Sequence, residues 1–211
     1  MPIDEARLKS VLSSNKRTII NSDMFARSAV LVPLIKSDTG SWEILFQVRA
    51  SHLKRQPGEI CFPGGTLDSP QESPRRAARR ETCEELGLRP EEVYMWGRLG
   101  LLISLFNMLL FSFVGKIPPI ERLNPSAAEV AAVFTVPIER LLRLEPEIHY
   151  VHLTASPGKN FPYHKIPGGR DYPWHTGVVE EVFYEVDGHI IWGLTARVLQ
   201  YFLALVRKSQ L

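Results

Sequence analysis

Residues 62–88 read FPGGTLDSPQESPRRAARRETCEELGL, and they decide both the fold and the chemistry of the chain. Phe62-Pro63-Gly64-Gly65 is a breaker whose two glycines let backbone approach a ligand or metal without a Cβ in the way. Ser73-Pro74 is a helix entry, with Ser as N-cap and Pro at the first helical position. Gly87 is the matching stop, so the spacing predicts a short, highly charged helix over Pro74 to Leu86. At about 100° per residue, Glu81, Glu84 and Glu85 fall within about 100° of one another, while Ala78, Thr82 and Leu86 line an adjacent face. Like charges at this spacing destabilise a helix by roughly 0.2–0.5 kcal/mol per pair, and acids near a helix C-terminus oppose its dipole. A divalent cation reverses that argument, because hard cations such as Mg²⁺ prefer carboxylate oxygens. A solvated helix pairing its glutamates with Arg75, Arg76, Arg79 and Arg80 presents the same residues. The glycine loop in front of the acidic helix tips the balance toward a cation.

Working outward, Ser28 to Ile35 and Trp42 to Val48 are apolar, β-rich runs around the turn-like Lys36-Ser37-Asp38-Thr39-Gly40, which predicts a hairpin. A short strand follows at Ile60-Cys61-Phe62. Beyond the helix, strands are predicted near Val93 to Leu102, Met108 to Lys116 and Val130 to Val136, then a short helix at Ile138 to Leu144. Glu145 to Pro173 reads as a long loop with one strand inside. Val179 to Val186 and His189 to Trp192 form a closing hairpin around Asp187-Gly188, and Leu194 to Val206 is a final amphipathic helix. Met1 to Arg17 is predicted as an amphipathic helix with Ile3, Leu8, Val11 and Leu12 near one face. The irregular alternation gives an α/β fold with a mixed sheet and helices on both faces.

Composition sets the remaining bounds. The chain has 211 residues, 45% hydrophobic and 23% charged, which suits one domain, 1–211, with 1–24 as an N-terminal helical extension. A net charge of +2 demands no nucleic-acid partner. Cys61 and Cys83 are too few for a disulfide framework and suit a reducing compartment, so the expected location is cytoplasmic. Between Arg98 and Lys116 lie 17 uncharged residues, short of the ~20 that a membrane helix needs. Ser104, Asn107 and Ser112 interrupt them, so they read as two strands joined near Phe106-Asn107, with no membrane partner.

Phe62-Pro63-Gly64-Gly65 followed by Arg80-Glu81-x-x-Glu84-Glu85-x-Gly87-Leu88 resembles the Nudix box, the signature of hydrolases acting on nucleoside diphosphates linked to another group. Glu72, Arg80 and the residues through Leu88 fit its pattern. Thr82 takes a slot that is usually apolar, and the Gly65-to-Glu72 interval is one residue longer than usual. That longer interval, with Asp68 after the glycines, is similar to the coenzyme A diphosphatase branch. The upstream signature of that branch resembles Leu45-Phe46-x-x-Arg49-Ala50, Lys54 (where Arg is usual), Gly58 and Phe62 to Gly65. Ile191-Trp192-Gly193-Leu194-Thr195-Ala196 resembles its C-terminal element.

The resemblance implies a Nudix α/β/α sandwich with a mixed β-sheet, the box forming a loop-helix-loop over 63–88. It implies attack by a Mg²⁺- or Mn²⁺-activated water on a pyrophosphate. Glu81, Glu84 and Glu85 would be the metal ligands, helped by the Gly65 carbonyl, with Arg80 orienting Glu81. The general base is left open between Glu81 and Glu129, the latter in Asn124-Pro125-Ser126-Ala127-Ala128-Glu129-Val130. Arg49, Lys54 and Arg55 would meet substrate phosphates, and Glu72 and Asp68 would fix the loop. The implied substrate is coenzyme A or its thioesters. Another nucleoside diphosphate derivative (ADP-ribose, a dinucleotide or a nucleotide) is the alternative, and a non-catalytic nucleotide-binding module the third reading. A homodimer is left open.

Overall fold

The structure is a computed structural model that describes residues 4–14 and 19–209. Helix α1 (Glu5–Ser14) comes first, then strands β1 (Ala26–Lys36), β2 (Trp42–Arg49), β3 (Ile60–Cys61) and β4 (Gly64–Thr66). Helix α2 (Pro74–Leu86) follows, then β5 (Tyr94–Ser104), β6 (Met108–Lys116), β7 (Val130–Pro137), α3 (Ile138–Arg143) and β8 (Glu147–Leu153). The chain ends in β9 (Gly177–Val186), β10 (His189–Trp192) and α4 (Gly193–Ser209). In α1 the side chains of Leu8, Val11 and Leu12 are exposed. Ile3 and the predicted helical turn through Arg17 lie outside the described residues.

Strands β1 and β2 form the predicted hairpin, in register from Leu34↔Ile44 to Lys36↔Trp42. Beyond that point they diverge. β3 pairs with β2 at Gln47↔Cys61, β4 pairs with β1 at Ala29↔Gly65, and Pro63 bridges the two. The wedge between the diverging strands is thus closed by the residues that read as a breaker. Gly64-Gly65 is strand rather than loop, which corrects the sequence reading. The reason is tertiary: a Cβ on Gly64 would meet the Ala29 carbonyl oxygen at 2.3 Å, so only glycine lets the two backbones pair here.

The full seven-stranded sheet is mixed, β1 running parallel to β6 and antiparallel to β2 and β4. Side chains alternate across it. Ala29, Leu31, Ile35 and Leu45 face one way and pack on α2 through Ala77, Ala78 and Leu86. Val32, Leu34, Ile44 and Phe46 face the other way and pack on α4 through Leu199, Phe202 and Leu203. This is the predicted α/β arrangement with a helix on each face. One departure concerns the C-terminal hairpin, which turns at Asp187-Gly188 (φ 54° and 76°) as predicted. It joins β8 in a separate three-stranded antiparallel sheet rather than the mixed sheet.

Candidate active site

The site is built around α2, and both ends of that helix are fixed locally. The Ser73 hydroxyl oxygen accepts from the Arg76 N–H at 3.3 Å, and Pro74 opens the helix. Gly87 ends it at φ 65°, where a Cβ would stand 2.2 Å from the Asn124 carbonyl oxygen. The last helical carbonyls then tie down the following loop. The Asn124 N–H donates to Leu86 and the Ser126 N–H donates to Glu85. That loop carries Glu129, whose own carbonyl accepts from the Ala50 N–H. Thr82, in the slot that is usually apolar, is fully buried and satisfies its hydroxyl on the Ala78 carbonyl at 2.7 Å.

The three box glutamates run from core to solvent. Glu85 is 2% exposed. Its Oε2 accepts from the Gly64 N–H at 2.9 Å and from Gln47 Nε2 at 3.0 Å. Glu81 is partly covered and lies directly against Gly65, where a Cβ would stand 2.5 Å from its carboxylate. Glu84 is open to solvent. Arg80 binds this face together. Its Nη1 reaches Glu81 at 2.9 Å and Glu84 at 3.1 Å, and its Nε reaches Glu72 and Asp68, both at 3.1 Å. Nη2 caps the Thr66 carbonyl at 3.3 Å. The Asp68 N–H in turn donates to Glu72 at 2.8 Å, which closes the loop between glycines and helix.

The electrostatics follow from burial and crowding. Burial lifts the Glu85 carboxyl to about 7, against the hydrogen bonds from Gly64 and Gln47, and Glu129 and Glu81 push it the same way. Glu81 is also raised, first by burial, with Glu84 and Glu129 adding repulsion. Arg80 is held more firmly protonated by its bond to Glu72. Glu81, Glu84, Glu85 and Glu129 therefore share one field, although Glu129 comes from a different segment.

Among the described residues no three His, Cys, Asp or Glu side chains converge into a ready cation cage. Arg80 holds oxygens of Glu81 and Glu84, while Gly64 and Gln47 hold Oε2 of Glu85. The donor set nevertheless suits a hard divalent cation. It is all oxygen, it is crowded with negative charge, and the missing Cβ of Gly65 lets the Glu81 carboxylate lie directly against the loop backbone.

A cavity of about 340 Å³ opens on the α4 side of the sheet rim. Ile60, Phe62, Leu105, Phe106, Trp192 and Leu194 supply apolar wall, and Arg49, Arg197, Glu59 and Glu181 supply charge of both signs. None of the box glutamates lines it. Gly64 does, and its N–H is the one bound to Glu85, so a single residue joins cavity and acidic helix. Of the three basic residues read from sequence, only Arg49 reaches this wall, its guanidinium also donating to the Arg55 carbonyl. Lys54 and Arg55 stand exposed on the loop, outside it. Cys61 also lines the cavity, and burial pushes its thiol up to about 11, which keeps it protonated. Sequence reasoning missed Gln47 and Arg197. Gln47 had a visible signal, being a lone amide inside the apolar run Trp42 to Val48. Arg197 had none.

The model of the NUDIX domain matches residues 25–155. The chain belongs to the Nudix family. It is 32% identical over 203 residues to Nudix hydrolase 3 of Caenorhabditis elegans, covering 93% of this chain and 80% of that one. It is 33% identical over 160 residues to the peroxisomal coenzyme A diphosphatase NUDT7 of Mus musculus, covering 76% of this chain and 65% of that one. Among solved structures, a MutT/nudix family protein from Enterococcus faecalis superposes with a TM-score of 0.53 at 15% identity, covering 97% of this chain and 70% of that one. That likeness concerns the fold. As a Nudix hydrolase the chain cleaves a phosphorus-anhydride bond of small nucleotide derivatives, a reaction for which the family generally uses divalent metals. Among the described residues no helix is long and apolar enough to cross a membrane.

Proposed function

We propose that the chain is a divalent-cation-dependent diphosphatase of coenzyme A and its acyl thioesters, releasing 3′,5′-ADP and (acyl-)4′-phosphopantetheine. The observation that carries this reading is the continuity at Gly64 between the acidic helix and a mainly apolar cavity. A diphosphate joined to a long, largely uncharged arm has that shape: its charged centre would lie at the glutamates and its arm along Phe62, Leu105 and Trp192. The similarity to a coenzyme A diphosphatase supports the same reading.

Glu81, Glu84, Glu85 and the Gly65 carbonyl would hold Mg²⁺ or Mn²⁺, which when bound neutralises diphosphate oxygens and polarises the attacking water. The chain's own residues do the rest. Arg80 keeps Glu81 in place through its 2.9 Å bond, and Arg49 on the cavity wall meets a phosphate oxygen. Water adds to one phosphorus as the bridging P–O bond breaks. The water's proton passes to Glu129, the exposed carboxylate beside Glu81 and Glu85 that Arg80 does not hold. The other half departs as a phosphomonoester that keeps the former bridging oxygen, and is the second product.

Incubation with Mg²⁺ and a panel of substrates, with products identified by mass, tests the reading. Coenzyme A yielding 3′,5′-ADP is expected. AMP from ADP-ribose, or pyrophosphate from a nucleoside triphosphate, with coenzyme A left intact, would replace it with the alternative.

A further inference from the structure

We infer that Gln47 is a positioning residue that fixes the Glu85 carboxylate for cation binding. The inference rests on reading Glu85 as a cation ligand. Alternation along β2 sends Ile44 and Phe46 into the α4 core and Leu45 into the α2 core. Gln47 is next on the α2 side and is only 1% exposed. A core strand position of this kind ordinarily takes an aliphatic side chain, as Leu45 does.

The amide is poorly served by its surroundings except at one atom. Nε2 donates to Glu85 Oε2 at 3.0 Å and more weakly to Cys61 Sγ at 3.5 Å, while the buried Oε1 has no hydrogen-bond partner among the described residues. Leaving a buried acceptor unpaired is costly, so a residue selected only for packing would be leucine or methionine. What the glutamine adds is a single N–H aimed at Glu85. That N–H lands on the oxygen that already takes the Gly64 N–H. Two donors on Oε2 fix the rotation of the carboxylate, and Oε1, which no donor among the described residues engages, is left for a cation. An amide does this without bringing charge, whereas Lys or Arg at position 47 would compete with the cation for Glu85. The backbone of Gln47 is itself clamped, paired to Cys61 on one side and to Val133 on the other.

The test uses Gln47→Met, which keeps length and shape without a donor, and Gln47→Leu as a second variant. Mn²⁺ alone is titrated into each by calorimetry, beside a thermal melt, with Glu85→Gln and the Gln47→Met/Glu85→Gln double variant in parallel. Weakening of Mn²⁺ binding by about 10–100-fold is expected in Gln47→Met at near-wild-type Tm, with no further loss on adding it to Glu85→Gln. A merely structural role would move Tm and leave Mn²⁺ affinity alone. Wild-type Mn²⁺ affinity in Gln47→Met, with affinity lost in Glu85→Gln, overturns the role of Gln47 by itself. Undiminished affinity in Glu85→Gln overturns the reading of Glu85 and takes this inference with it. Unfolding of both Gln47 variants assigns the residue to the fold and equally overturns the inference.

Discussion

The carboxyl of Glu85 titrates near 7 because burial disfavours its charged form, and a raised carboxylate has a defined effect on stability. Its contribution is fully present below the ordinary value of 4.5 and is lost as pH rises through about 7, a swing of about 3 kcal/mol. The metal-free protein is therefore expected to melt at a lower temperature near pH 8 than near pH 5, and Glu85→Gln to flatten that dependence. Mg²⁺ binds the ionised form, so it should raise Tm more at the higher pH. A Tm that ignores both pH and Mg²⁺ would contradict the assignment. Gly65→Ala makes a steric test at the neighbouring position. Its methyl would collide with the Glu81 carboxylate, so turnover should fall by at least tenfold while the far-UV spectrum stays native. The three glutamates and Arg80 were legible in the sequence because their spacing is a local helical property. Gln47 stood out only as a lone amide in an apolar run, and its role could not be read because its partner lies on a helix 38 residues away in the chain.

Among the elements, α2 was the most legible. Its predicted and observed limits coincide, since Ser73, Pro74 and Gly87 act through contacts within a few residues of themselves. Ser73→Ala removes the cap and is expected to cost about 1 kcal/mol, a drop of roughly 2–4 °C in Tm for a chain of this size, with kcat little changed. Gly87→Ala should be worse in both respects. Its φ of 65° disfavours any other residue, and the Asn124 carbonyl stands in the way of a Cβ. Because Asn124 and Ser126 hang the Glu129 loop from the end of the helix, a loss of kcat beyond the loss of stability would show that the helix end also positions Glu129. Strand β4 was illegible for the opposite reason. Two glycines read locally as a turn, and only the close approach of β1 turns them into a paired strand.

Across the whole molecule, the cavity belongs to elements that no local pattern connects. Ile103, Leu105 and Phe106 reach it from the β5–β6 hairpin, Val179 and Trp192 from the second sheet, and Leu194 and Val198 from α4. The sequence predicted each of these segments but could not group them, nor separate β8 to β10 from the main sheet, because those pairings are long-range. If the cavity takes the uncharged arm of the substrate, Leu105→Asp should raise KM for a thioester with a medium-length acyl chain several-fold. Mn²⁺ affinity should be unchanged, and an unaltered KM would place the arm elsewhere. The parallel pairing of β1 with β6 runs from Ala26↔Met108 to Leu34↔Lys116, joining strands roughly eighty residues apart, and contacts of that separation form slowly. During synthesis, the glycine cradle would have no firm backing until the ribosome had released the sixth strand. The newborn enzyme would thus stay inert until that strand emerges, and amino-terminal fragments ending before it should fail to gain activity however intact their acidic helix.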